Sequence, residues 1–65
     1  MHIIVNGEPK QTKAETLPAL LEEFSLDPKT VVVEINGKIV DRSLVPTTSL
    51  AENDTLEIVH FVGGG

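Results

Sequence analysis

Two Asn-Gly pairs, Asn6-Gly7 and Asn36-Gly37, each stand at the end of a β-branched run, and no other feature restricts the fold of this sequence as tightly. The runs are Ile3-Ile4-Val5 and Val31-Val32-Val33-Glu34-Ile35. Asn-Gly accepts positive φ at both central positions of a type I′ turn, whose twist matches the strands it joins. Each pair therefore predicts a hairpin. The first joins residues 2–6 to a short polar return strand over 8–12. Pro9 has no N–H for a ladder, so that return strand belongs at a sheet edge and residues 2–6 lie further in. The second joins residues 31–35 to 38–40. The likeness of the two motifs reflects shared turn chemistry, with no functional role read into either pair.

Between the hairpins, Leu17, Leu20, Leu21 and Phe24 recur at i, i+3, i+4 and i+7, one stripe of a helical period. Thr16 is placed to cap that helix, and Pro18 fits a first turn whose N–H groups lack intrahelical partners. Glu22 and Glu23 fall on the opposite side. The pattern lapses at Ser25, and Asp27-Pro28 closes the segment. Two to three turns are too few to be stable alone, so the helix must lie on a sheet. Residues 41–50, around Pro46 and Thr47-Thr48-Ser49, predict an irregular or briefly extended connection, and 51–54 a turn. Residues 55–62 read as a last strand, with Leu56, Ile58 and His60 to one side and Glu57, Val59 and Phe61 to the other. Apolar groups on both sides suit a central strand, or one whose outer face meets a partner.

This order predicts an α+β domain in which a four- to five-stranded mixed sheet carries one main helix across one face. The last strand is expected in the middle, parallel to the first, because the helix and its flanks supply the crossover that parallel neighbours need. That is the β-grasp, or ubiquitin-like, arrangement. At 65 residues the chain makes one domain, expected over 1–62, with 63–65 as a flexible glycine tail.

Composition narrows the chemistry. Ten acidic residues against five basic give a formal charge of −5, which disfavours nucleic acid and favours a partner with a positive docking face. With no cysteine, disulfides, thiolate zinc sites and a nucleophilic thiol are excluded. No apolar run reaches the length of a membrane span and no basic-then-apolar leader is visible, so a cytoplasmic protein is expected. His2 and His60 lack an acidic orienter at a recognisable spacing, and neither a Ser-His-Asp set nor a paired-carboxylate site can be assembled. No catalytic or metal-binding residue is expected.

What stands out is the run His60-Phe61-Val62-Gly63-Gly64-Gly65, in which a strand passes directly into three glycines. Without a Cβ the tail lets another protein's backbone approach from any side, and it leaves the carboxylate of Gly65 sterically bare. If Leu56 and Ile58 face the helix, Val59 and Phe61 share the other face with Glu57, beside the tail. There they would form a docking patch together with Val62.

With Val5-Asn6-Gly7-Glu8, Val33-Glu34-Ile35-Asn36-Gly37-Lys38 and a strand ending in Gly63-Gly64-Gly65, the chain resembles the ubiquitin-like sulfur carriers. Within them it is similar to the branch that serves the thiazole ring of thiamine, known as ThiS. The resemblance implies a co-substrate whose Gly65 carboxylate is adenylated by an E1-like, ThiF-type enzyme using ATP and Mg, with no cofactor bound by the carrier. A cysteine desulfurase or similar persulfide protein then donates sulfur to give a thiocarboxylate, which a ThiG-type thiazole synthase consumes. Gly64-Gly65 correspond to the family's diglycine and Gly63 is an added spacer. The same fold also serves the small subunit of molybdopterin synthase and the lysine-conjugated protein modifiers. The arginines common before the diglycine of those modifiers are replaced here by Phe61 and Val62.

Overall fold

The computed structural model describes residues 1–61. Both Asn-Gly pairs form hairpin turns with positive φ at each central residue, 52° and 82° at Asn6 and Gly7, 53° and 86° at Asn36 and Gly37. The first joins β1 (His2–Val5) to β2 (Glu8–Gln11), with Ile4 opposite Pro9. The second joins β3 (Val31–Ile35) to the two-residue β4 (Lys38–Ile39). The last strand, β5, spans Thr55–His60.

The five strands lie in the order β2-β1-β5-β3-β4, so β5 is inserted between the two hairpins. It runs parallel to β1, with Val5 opposite Leu56, and antiparallel to β3, with Val33 opposite Ile58. Pro9 sits on the edge strand β2, where its missing N–H costs no ladder bond. The sheet is thus mixed and five-stranded, as the order of elements predicts.

Helix α1 (Leu17–Glu23) lies across one face. Thr16 caps it through Oγ1, which accepts from the Ala19 N–H at 3.3 Å. Two turns would not persist in water alone. Leu17, Leu20 and Leu21 are each at most 1% exposed, and they meet Ile3 and Val5 of β1, Val31 and Val33 of β3 and Leu56 and Ile58 of β5 in one core. Each such side chain contributes roughly 1.5–3 kcal/mol on full burial, so the helix–sheet layer is where the stability resides.

Residues 41–50 are more ordered than the sequence suggests. Arg42–Thr47 forms a 3-10 helix capped by Asp41, whose Oδ1 accepts from the Ser43 N–H at 2.9 Å. That contact, together with the Ser43 hydroxyl, lowers the Asp41 pKa. Pro46 is tolerated because the short helix asks little of its N–H. Val45 and Leu50 turn into the core, and the expected extended stretch is a single bridge between Thr16 and Ser49. A second 3-10 turn, Pro28–Thr30, leads into β3 behind the Asp27 cap. Thr12, expected in the return strand, lies beyond it and is buried. Its hydroxyl donates to the Glu23 carboxylate at 2.9 Å and accepts from the Ala14 N–H.

Candidate functional site

Alternation along β5 sorts its side chains as expected. Leu56 and Ile58 are buried at 0% and 8% exposure, whereas Val59 on the opposite face is 57% exposed. The ladder to β3 does not stop with the strand. The Phe61 N–H donates to the Thr30 carbonyl at 3.1 Å, so Phe61 keeps the parity of Val59 and Glu57. Phe61 is 38% exposed, more covered than Val59 but still open to a partner.

Register then shows what surrounds these groups. Val32 stands opposite Val59, and one rung along Glu34 stands opposite Glu57. On β1, Ile4 falls on the same open face beside Thr55, and on β4 Ile39 falls opposite Glu34. Ile4 and Val32 are each 38% exposed and Ile39 68%. The open face of the sheet is therefore an apolar band crossed by one pair of carboxylates. Among the described residues neither Glu34 nor Glu57 makes an ion pair. A surface of this kind is complementary to apolar groups flanked by a cation.

The remaining sequence-predicted positions fall elsewhere. Val62, Gly63, Gly64 and Gly65 lie outside the described residues. His2 is drawn to Glu52, which accepts from its backbone N–H at 3.1 Å and lies 3.3 Å from Nδ1. That backbone hydrogen bond, chiefly, lowers the Glu52 pKa. His60 is exposed at the end of β5. Among the described residues no group of three or more His, Cys, Asp or Glu side chains could hold a metal ion. No described helix is long and apolar enough to cross a membrane.

Turn chemistry alone did not anticipate the work of the two turn asparagines. The Asn36 Oδ1 accepts from the Thr55 N–H at 3.0 Å, where β5 enters the sheet. The Asn6 carboxamide engages both backbone groups of Ile58, accepting from its N–H at 2.8 Å and donating to its carbonyl at 3.2 Å. These contacts span 19 and 52 residues, and no local pattern encodes them.

A family model described as the ThiS family matches residues 3–65. The chain belongs to the ThiS family. Of relatives with similar length, a sulfur carrier protein ThiS from Bacillus subtilis is 38% identical over 63 residues, covering 94% of this chain and 96% of that one. A crystal structure of the thiamine biosynthesis protein ThiS from Geobacter metallireducens superposes with a TM-score of 0.82 at 32% identity, covering both chains fully. The β-grasp fold is thereby shared with a solved ThiS. A protein named thiazole synthase, from Magnetococcus marinus, is 42% identical over 66 residues, which take in all of this chain but 20% of that protein. The chain therefore spans about a fifth of the length of the thiazole synthase it matches, and nearly the whole length of the Bacillus subtilis sulfur carrier protein ThiS.

Proposed function

We propose that this ThiS-family chain carries sulfur as a thiocarboxylate on Gly65 and delivers it for assembly of the thiamine thiazole. The observation that carries the reading is the family match running through Gly65, joined to a central strand that leads toward that residue. An α-carboxyl group with a reference pKa of about 3.3–3.7 is an anion at neutral pH and a poor electrophile. Adenylation by an E1-like, ThiF-type enzyme with ATP and Mg releases pyrophosphate and gives an acyl adenylate. The terminal sulfur of a persulfide attacks its carbonyl and expels AMP, and a protein thiol then cleaves the resulting acyl disulfide, freeing the thiocarboxylate and ending as a disulfide with the donor sulfur. Gly63 and Gly64 carry no side chain to obstruct entry of the carbonyl into successive enzyme sites. A ThiG-type thiazole synthase takes the sulfur, a partnership supported by the thiazole synthase from Magnetococcus marinus that contains a ThiS-like region.

The open face of the sheet is the docking surface in this reading. Phe61, Val59 and Val62 supply apolar contact close to the reacting end, and Glu57 with Glu34 selects a partner carrying a cation opposite them. The chain's net charge of −5 favours encounter with such a surface at long range.

Intact-mass measurement after incubation with an activating enzyme, ATP and a persulfide donor tests the proposal. The expected product gains the mass of one sulfur in place of one oxygen, and fragmentation places the change on Gly65. Mass located on substrate lysines instead, or a chain extended past Gly65 that is charged equally well, would overturn it.

A further inference from the structure

The parallel ladder between β1 and β5 advances two residues at a time. The Ile4 N–H donates to the Asp54 carbonyl and the Asn6 N–H to the Leu56 carbonyl, both at 2.9 Å. The next rung would need the backbone of residue 8, but Gly7 has already turned the chain into β2. The Asn6 carboxamide takes that place. It presents a C=O and an N–H in one plane, as a peptide group does, and binds the N–H and C=O of Ile58. Ile58 lies three residues before Phe61, and its N–H and C=O are turned to Asn6, away from β3.

Asn36 offers an internal comparison. It occupies the same position in the other hairpin with almost the same φ, 53° against 52°. Its carboxamide also makes two contacts, donating to Asp54 Oδ1 at 2.9 Å and accepting from the Thr55 N–H at 3.0 Å. These hold the start of β5, at the opposite end from Phe61. Two chemically equivalent asparagines thus secure the central strand at its entry and near its exit.

We propose that Asn6 is a positioning residue for the carrier reaction. By completing the ladder at Ile58 it holds the segment from Ile58 to Phe61 in line with the sheet, so that the docking face is presented to the activating enzyme in one geometry. The inference rests on the carrier reading above. A misplaced reacting group loses rate even when it remains bound, because catalysis depends on near-attack geometry.

The test compares Asn6→Gly with Asn36→Gly, since glycine keeps the positive φ and removes only the carboxamide contacts. Amide hydrogen exchange establishes that each variant is folded at the assay temperature and reports the Ile58 N–H directly. ATP-dependent adenylation by a purified activating enzyme is then measured as kcat and KM for the carrier. Both variants are expected to lose stability to a similar degree, but Asn6→Gly to lower kcat/KM about tenfold and Asn36→Gly to stay within about twofold of the original protein. Faster exchange at Ile58 should accompany the loss in Asn6→Gly alone. If Asn6→Gly does not fold, Asn6→Asp applies the same criterion, because it keeps an acceptor for the Ile58 N–H and puts an anionic oxygen in place of the donor to the carbonyl. Equal effects of the two sites on kcat/KM, or no effect at Asn6, overturn the positioning role while leaving the carrier reading intact. An original protein that is not adenylated at all overturns both, and is recognised because no substitution is involved.

Discussion

Glu57 of β5 stands directly opposite Glu34 of β3, so two carboxylates share one rung of the open sheet face. Like charges on a rung are destabilising, and Glu57→Gln should raise stability by about 0.2–1 kcal/mol in urea unfolding. The same substitution should slow association with the activating enzyme, most visibly at low ionic strength where long-range attraction is unscreened. A rate that ignores both the substitution and the salt would remove this rung from the docking surface.

Phe61 lies on the same parity as Glu57, beyond the Val59–Val32 rung that separates them. Truncation to alanine is expected to cost about 1.4 kcal/mol of binding, or roughly tenfold in Kd, as central aromatic contacts do. Being 38% exposed, Phe61 should leave the fold intact when truncated. Calorimetric titration against the activating enzyme, with a thermal melt of the free variant, separates the two effects. A melt that collapses would instead make Phe61 a core residue.

The alternation of β5 predicts opposite outcomes at two positions three residues apart. Leu56 is 0% exposed, and Leu56→Ala should cost about 2–5 kcal/mol. For a domain whose whole stability is of the order of 5 kcal/mol, that leaves little folded protein. Val59→Ala, at a 57% exposed site, should shift stability by no more than about 0.5 kcal/mol. Circular dichroism in urea distinguishes the two directly.

The turn over residues 51–54 is held to β1 by the Glu52 carboxylate on the His2 N–H. Because this hydrogen bond favours the ionised form, the folded pKa lies below the ordinary one. The stabilisation is therefore complete above the unfolded value, about 4.3 for glutamate, and is lost as pH falls through the lower folded value. An NMR titration should show the His2 amide shifting with the Glu52 carboxyl in that acidic window, and Glu52→Gln should remove the transition.

Much of this architecture was legible because it is local. Asn-Gly after a β-branched run specifies a hairpin through backbone sterics, and the Leu17, Leu20, Leu21 stripe needs only the helical period to be seen. The central place of β5 followed from apolar residues on both of its faces. Residues 42–47 were harder, because Pro46 and the threonines after it read as irregular, whereas the ordering comes from Asp41 capping Ser43 and from Val45 finding the core. The reach of Asn6 to Ile58 had no local signal, since the two are 52 residues apart and the turn alone accounts for an asparagine at that position. At the site, Val59, Phe61 and Glu57 were recognised by alternation, but Ile4, Val32, Glu34 and Ile39 join them only through strand register.

The strand order also bears on how the molecule comes into being. On a ribosome the two hairpins emerge well before the strand that separates them, and until residues 55–60 are free neither hairpin has its permanent neighbour. A nascent chain must keep β1 and β3 apart with their inner apolar edges unpaired, because pairing them directly would close the slot that β5 fills. Completion of the sheet is consequently tied to the arrival of the same segment that leads to Gly65. A chain interrupted before that point lacks the central strand, so its two hairpins have no common neighbour to join them into one sheet.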